Sequence, residues 1–213
     1  MPVAEYINFM LERMDDIIVL TGQHIQLSFI AIVVAIAIGV PLGILMTRFP
    51  SISSFILGLA NAVQAIPSLA FLGFLVPIFG IGSTPSIVMV SAYALLPIVK
   101  NTYTGLTGID KAIVEAGLGM GMTEQQLMTM VRIPMALPVI MAGVRIAVVM
   151  AVGFTTLAAL IGAGGLGQLI YRGISMVNNR MIVAGAVPAM ILALAIDKIF
   201  SFLEKAVTPR GIR

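Results

Sequence analysis

The sequence contains no cysteine and no tryptophan, and His24 is its single histidine. Without cysteine there is no disulfide framework, no thiolate nucleophile and no cysteine-ligated metal site, and one histidine makes us expect no metal site at all. Charge is scarce as well. The 12 Lys+Arg and 9 Asp+Glu residues make up 10% of the 213 residues, whereas soluble domains carry about 25%. A net charge of +3 is also too small to suggest a nucleic-acid partner.

Apolar residues are correspondingly abundant. They account for 60% of the chain, and the mean hydropathy is +1.11, which excludes a water-soluble globule and a disordered chain. A membrane-spanning helix needs about 20 apolar residues. The composition therefore predicts an all-α, polytopic membrane protein with about five transmembrane helices in a lipid bilayer. No catalytic motif and no phosphate-binding loop of the form G-x-x-x-x-G-K-[ST] occurs. We expect no catalytic residue and no cofactor on this chain.

Three segments are predicted along the chain. Apolar residues at helical spacing between Val3 and Ile17 indicate an interfacial helix within residues 1–20, whose acidic start is unlike a signal peptide. Residues 21–203 form the membrane domain, and residues 204–213 form a cytoplasmic tail. The predicted spans cover residues 24–46, 52–79, 86–103, 137–161 and 181–202. His24 is interpreted as an interfacial residue at the start of the first span.

Pro67 interrupts the second predicted span. A proline within a span frees a backbone carbonyl that a neighbouring helix or a cavity must satisfy. Residues 52–79 could form one kinked span or two spans. We favour one long kinked span, because no polar turn residue near Pro67 is available to face water.

Basic residues set the expected orientation. If the loop 104–136 is cytoplasmic, seven basic residues lie inside and three outside, while Arg145 and Lys198 lie within spans. This bias places the N-terminus outside and the C-terminus in the cytoplasm. The seven are Arg48, Lys100, Lys111, Arg132, Lys205, Arg210 and Arg213, and the three are Arg13, Arg172 and Arg180.

The loop 104–136 is predicted to form two short helices. Asp110 is predicted as the N-cap of a helix over residues 111–118, and glycines at 119 and 121 are predicted to break this first helix. Thr123 followed by Gln126 has the pattern of a capping box and opens the second helix. We expect the second helix to end before Pro134, because the residue before a proline disfavours helical geometry. The loop is either a docking surface for a soluble partner or a compact linker between spans.

One stretch of this loop carries a family pattern. Glu115-Ala116-Gly117, then Gly121 four positions later, then Val131-Arg132-Ile133-Pro134 resembles the "EAA" loop of ABC-importer permeases. Gly117 in place of alanine and Val131 in place of isoleucine are mild departures. In that family the loop is a coupling helix that sits in a groove of a cytoplasmic ATPase. The resemblance implies coupling roles for Glu115, Ala116, Gly117, Gly121, Thr123, Ile133 and Pro134.

Further stretches resemble one branch of these permeases. Residues 95–110, 162–174 and 204–213 are similar to permeases for glycine betaine, carnitine and choline, while five spans resemble the methionine permeases. The resemblance implies a bacterial plasma-membrane importer with a second permease subunit, identical or homologous. It also implies two ATP-binding subunits that hold ATP and magnesium, and an extracellular substrate-binding protein. A permease for methionine or another amino-acid derivative, and a passive channel, are the alternatives.

Several polar side chains fall within predicted spans. Asn61, Gln64 and Ser68 are spaced as on one face of a continuous helix. Such residues either line a pathway or make hydrogen bonds between helices. The pathway candidates are Asn61, Gln64, Ser68, Tyr93, Thr155 and Thr156.

Two opposite charges are expected at similar depth. Arg145 lies eight residues into the fourth span, and Asp197 lies five residues before the end of the fifth. They either form an intramembrane ion pair or reach the interface separately.

The glycines between Gly162 and Gly167 match G-x-G-x-x-G, but they end a span instead of joining a strand to a helix. We expect them to allow close helix packing.

Overall fold

The computed structural model describes residues 3–207, and the regular elements within this range are helices. Ten α-helices are joined by a π-helical turn at Met128–Arg132, by a 3₁₀ segment at Thr156–Ile161 and by short loops. The helices are α1 (Val3–Glu12), α2 (Met14–Arg48), α3 (Pro50–Ala65), α4 (Ser68–Phe79), α5 (Ser83–Thr107), α6 (Lys111–Gly119), α7 (Glu124–Leu127), α8 (Ile133–Thr155), α9 (Gly167–Ser175) and α10 (Asn179–Val207).

Four helical stretches within the described residues are long and apolar enough to cross a membrane. They are Met14–Arg48, Ser83–Thr107, Glu124–Ile161 and Asn179–Val207. The pair formed by α3 and α4 meets the same criterion jointly and supplies a fifth span if it is counted as one. The predicted five-span, all-α architecture agrees with this arrangement. The part of the predicted tail at 204–207 continues α10, and the rest, 208–213, lies outside the described residues.

The first spanning helix begins earlier than expected. α2 starts at Met14, so the expected boundary at residues 20 and 21 falls inside a continuous helix. Asp15 and Asp16 lie in its first turn, where negative charge interacts favourably with the helix dipole. The hydroxyl of Thr21 donates a hydrogen bond to Ile17 O at 2.7 Å, which is typical of a residue inside a helix.

Pro67 produces a sharp corner instead of a kink. The axes of α3 and α4 differ by 99° across a two-residue break at Ile66 and Pro67. Ile66 has an extended backbone with ψ 129°, as the position before a proline favours. Ser68 therefore begins a new helix, and it does not share a helix face with Asn61 and Gln64. The prediction of one common face was wrong for Ser68, because it assumed an unbroken helix.

Pro134 does not end a helix. The chain runs from α7 through the π-helical turn directly into α8, and Pro134 occupies the first turn of α8. At the exit of the turn, the Ile133 N–H donates to Met128 O, five residues earlier instead of four. Such a widened turn accommodates a residue that cannot donate to the preceding turn. The expectation that the second loop helix stops before Pro134 is thus incorrect.

α5 lies between α2 and α8 at the centre of the bundle, and small residues let the three backbones approach closely. A Cβ added to Gly43 of α2 would lie 3.1 Å from Val99 O of α5. A Cβ added to Gly143 of α8 would lie 2.7 Å from Pro97 O on the opposite side of α5. Met89 and Ile98 of α5 are fully buried, so this helix forms the core around which the others pack.

Candidate functional site

The loop between α5 and α8 contains two capped helix N-termini. We call residues 110–127 of this loop the knob. Asp110 Oδ1 accepts a hydrogen bond from the Ala112 N–H at 2.9 Å and starts α6. The Gln126 N–H donates to Thr123 Oγ1 at 3.2 Å, and the Thr123 N–H donates to Gln126 Oε1 at 2.9 Å. This completed capping box starts α7. Both caps agree with the sequence prediction.

A glycine lets the two arms of the knob pack together. A Cβ on Gly117 would lie 2.7 Å from Leu127 Cδ1, and the Leu127 side chain is fully buried. Since Cδ1 is the end of a flexible side chain, an alanine fits there after a small shift, whereas a larger residue would separate α6 from α7. Gly121, with φ +83°, makes the turn between them. This left-handed geometry favours glycine.

The outer face of the knob combines one carboxylate with apolar surface. Glu115 and Ala116 are exposed, and neighbouring Leu118 and Met120 are 45% and 74% exposed. Apolar side chains beside a single charge are typical of protein interfaces. Of the seven predicted coupling residues, five lie in the knob, while Ile133 and Pro134 lie at the half-buried start of α8.

A cleft of about 280 Å³ separates the knob from the ends of α2 and α5. Glu115 and Arg132 both border it, as do Thr47 and Thr107. Arg132 Nε is buried and has no hydrogen-bond partner. The knob is therefore only partly packed against the bundle, with Glu115 at the edge of the gap.

Gln64 and Tyr93 connect α3 to α5. Gln64 Nε2 donates a hydrogen bond to Tyr93 O at 3.0 Å, and the Tyr93 hydroxyl donates to Ile66 O. Tyr93 is only 3% exposed, which makes it an interhelical residue in this state. Asn61 lies one turn before Gln64 and is exposed, whereas Ser68 is half-buried at the start of α4.

Thr155 and Thr156 mark the end of α8. Thr155 is fully buried, and its hydroxyl donates to Ala151 O at 2.7 Å. The Thr156 hydroxyl donates to Gly153 O at 2.8 Å. Both hydroxyls are thus satisfied by their own helix at the point where it tightens into the 3₁₀ segment. Neither contacts the Gln64–Tyr93 pair in the described hydrogen bonds.

Arg145 and Asp197 form the ion pair that their depth suggested. Arg145 Nε lies 2.6 Å from Asp197 Oδ1, and Arg145 Nη2 lies 2.8 Å from Asp197 Oδ2. Two parallel bonds of this kind hold a guanidinium and a carboxylate in a fixed orientation. The pair joins α8 to α10 and borders a cleft of about 400 Å³, together with Ile146 and Met150.

His24 lies in the bundle interior, in contrast to the predicted interfacial position. It is fully buried, and its Nε2 lies 2.9 Å from Val152 O of α8. Because a carbonyl only accepts, Nε2 carries the proton and donates. The glycine-rich loop packs on the same part of α2, where the Gly165 N–H donates to Gln23 Oε1 at 3.1 Å.

The glycines of this loop are required by that contact. Gly164 and Gly165 have φ +95° and +84°, and a Cβ on Gly165 would lie 3.2 Å from His24 Nδ1. Close packing explains the glycines, as predicted, but sequence reasoning missed their partner. The sequence feature that could have indicated this contact is the adjacent polar pair Gln23–His24 at the start of an apolar run. Among residues 3–207, no group of three or more His, Asp or Glu side chains is arranged to hold a metal ion.

Residues 39–212 match the family described as binding-protein-dependent transport system inner membrane component. The chain is 43% identical over 207 residues to the carnitine transport permease protein OpuCB of Listeria monocytogenes, covering 97% of this chain and 95% of the relative. It is 45% identical over 212 residues to the osmoprotectant import permease protein OsmW of Salmonella typhimurium, covering 97% and 99%. An inward-facing structure of the MetNI methionine ABC transporter has a chain with a TM-score of 0.80 at 24% identity, covering 93% and 99%.

An all-α bundle with several spanning helices and a folded knob defines a multi-pass membrane protein of the transport-permease class. The chain belongs to the family of inner membrane components of binding-protein-dependent transport systems. Its fold is that of the type I ABC-importer permeases, as the resemblance implied.

Proposed function

We propose that this protein is the permease subunit of an ATP-driven importer for quaternary-ammonium osmoprotectants such as glycine betaine, carnitine and choline. One observation supports the proposed substrate class. Relatives that are 43% and 45% identical over nearly the whole chain are named as carnitine and osmoprotectant permeases. The likeness to the methionine transporter, at 24% identity, supports the fold alone.

The knob is the coupling element in this proposal. Its exposed Leu118 and Met120 offer apolar area to a cytoplasmic ATPase, and Glu115 offers a carboxylate for a basic side chain of that partner. In this proposal, ATP and Mg²⁺ are held by the partner ATPase. Closure of the ATPase pair moves the knob and thereby favours one of two states of the bundle. The helix from Glu124 to Ile161 supports this role, because it runs from the knob through the membrane.

The proposed assembly contains two permease subunits, identical or homologous, with the pathway between them. Two ATPases dock on the knobs, and a binding protein outside the cell delivers the substrate. The knob lies in the cytoplasm, so that α1 lies outside and the end of α10 lies inside. The charge distribution of the sequence supports this orientation in a bacterial plasma membrane.

The function is tested by purifying the tagged chain from its native membrane and identifying the subunits that co-elute. The purified complex is then placed in liposomes with its binding protein, and uptake of labelled glycine betaine is measured. We expect co-elution of an ATPase and uptake that requires ATP and is reduced by excess carnitine or choline. Uptake without ATP would indicate a channel, and reduction by methionine alone would indicate an amino-acid permease.

A further inference from the structure

Two prolines leave backbone carbonyls without helical donors near the centre of the bundle. Pro97 lies inside α5 and has no N–H, so the carbonyl of Tyr93, four residues earlier, lacks its usual partner. Ile66 lies just beyond the end of α3, and its carbonyl has left the helical ladder at the corner made by Pro67. In a membrane, an unsatisfied carbonyl of this kind is costly.

The two helices satisfy each other's carbonyls. Gln64 of α3 donates its side-chain amide to Tyr93 O of α5 at 3.0 Å. In return, the hydroxyl of Tyr93 donates to Ile66 O at the end of α3. Each side chain supplies the donor that a proline-containing segment of the other helix lacks. We call these two reciprocal hydrogen bonds the lock.

Aromatic rings hold the Tyr93 side chain in place. The ring of Phe71, on α4, meets the Tyr93 ring edge-on with centroids 5.9 Å apart. The Phe154 ring of α8 lies 4.6 Å from the Tyr93 ring on a tilted plane. Tyr93 therefore contacts both arms of the broken span and also α8. Its hydroxyl reaches the corner between the arms.

We propose that Gln64 and Tyr93 are positioning residues for transport, which set the corner between α3 and α4 and attach it to α5. This proposal rests on the transport function proposed above. The broken span and α5 move as one unit through the transport cycle. Exposed Asn61, one turn before Gln64, is thereby kept at a fixed place on the wall of the pathway.

The lock persists through the cycle for an energetic reason. Opening it would leave the carbonyl and the hydroxyl of Tyr93, a residue that is only 3% exposed, without their partners, and each such buried group carries a desolvation penalty. Rigid movement of the whole unit avoids that penalty. The corner is thus a fixed joint, and the gating motion lies between this unit and its neighbours.

The functional test compares substrate molecules imported per ATP hydrolysed by the complete transporter in liposomes. Tyr93→Phe removes only the hydroxyl, and Gln64→Met removes only the amide at similar length. We expect each variant to assemble normally and to lower the import-to-ATP ratio by up to about fivefold, because losing one hydrogen bond lowers the equilibrium constant between the locked and the open corner by about that factor. The double variant should lose little more than either single variant, because the two bonds act as one unit.

Ser91→Ala is the matched control. The Ser91 hydroxyl also contacts another helix: it lies 3.0 Å from Ala31 O, which belongs to the regular ladder of α2, and shares its proton with Ile87 O of α5 at 2.7 Å. We expect the control to leave the ratio unchanged. The proposal would be overturned if the lock variants lost assembled transporter, ATP hydrolysis and import in the same proportion. It would also be overturned if Ser91→Ala lowered the import-to-ATP ratio as much as the lock variants do. Either result would mean that the two bonds contribute only ordinary packing.

A second measurement is independent of the substrate. Spin labels at Phe55→Cys on α3 and Phe74→Cys on α4 flank the corner, and both positions are well exposed. With the lock intact, we expect one narrow distance distribution with and without ATP, and a broad one in Tyr93→Phe. A distance that changes with ATP while the lock is intact would overturn the proposal. If the wild type imports no quaternary amine, the proposed substrate fails, but this distance test still decides the lock.

Discussion

Arg145 reaches a second carboxylate on α10 beyond Asp197. Its Nη1 lies 3.5 Å from Glu204 Oε2, and Glu204 follows Asp197 by two helical turns. One guanidinium therefore contacts α10 at two levels, with a bidentate bond to Asp197 and a longer contact to Glu204. The network attaches the last helix to α8 over a stretch where little else on α10 is buried, since the buried residues of α10 are Met181, Ala184 and Gly185, near its start.

This geometry predicts unequal effects of removing the partners. Arg145→Ala removes the guanidinium that contacts both carboxylates, whereas Asp197→Ala leaves Arg145 in contact with Glu204. We expect both to lower the melting temperature of the purified protein in detergent, with the larger decrease for Arg145→Ala. The double variant should lose less than the sum of the single losses. Strict additivity would show that the two side chains do not stabilise each other.

Accessible cysteines test the orientation, and the absence of native cysteine removes background labelling. Val177, 87% exposed between α9 and α10, and Gly119, exposed in the knob, lie in the segments that we assign to opposite sides. In intact cells, an impermeant thiol reagent should label Val177→Cys and should label Gly119→Cys only after permeabilisation. Gly82 is a less suitable outer site, because its φ of +107° disfavours a side chain. Labelling of Gly119→Cys in intact cells would contradict the orientation.

Gly121 tests the coupling role of the knob. Nothing lies within 4 Å of a Cβ built there, so Gly121→Asp acts through its added charge and not through a clash. We expect loss of substrate-stimulated ATP hydrolysis with an unchanged yield of folded permease. Gly121→Asn is the control, since asparagine tolerates this backbone geometry and adds no charge. Normal uptake by Gly121→Asp would argue against docking at this surface.

Gly143 tests the packing of α8 against α5. Its added Cβ would meet Pro97 O at 2.7 Å, and a backbone atom cannot move aside as a side chain can. Gly143→Ala should destabilise the protein by about 1–3 kcal/mol, the range for overpacking a tight core. Gly22→Ala, where nothing lies within 4 Å, is the matched helix position and should be neutral or slightly stabilising. Thermal unfolding of both variants in detergent measures the difference.

Local hydrogen bonding made parts of this structure predictable. The caps at Asp110 and Thr123 depend on residues at most three positions apart, and both appear as expected. The ion pair of Arg145 and Asp197 was one of two outcomes that the sequence left open, since helical rise places both at similar depth and a lone charge in a span is costly. Glu204 was missed as a partner, since it was assigned to the cytoplasmic tail and not to the membrane domain.

Other features depend on distant parts of the chain or on unusual backbone turns. The burial of His24 requires Val152, which is 128 residues away. The corner at Pro67 is a right-angle break that removed Ser68 from the predicted face, and a proline alone does not specify how far a helix bends. At Pro134 the sequence indicated a stop, but a π-helical turn absorbed the proline. A single sequence contains little information about such turns.

That turn also fixes a phase between the knob and the membrane. A π-helical turn contains one residue more than an α-helical turn over the same path. Because the extra residue is taken up inside this turn, α7 and α8 keep the relative phase of one continuous helix. Deleting one residue from the regular part of α8 would instead rotate the whole knob by roughly 100° about the axis of α8. Glu115 and its apolar neighbours would then face a different direction, although knob and bundle could each keep their own fold. The direction in which the docking surface faces is thus set by the length of this helical connection as well as by its side chains.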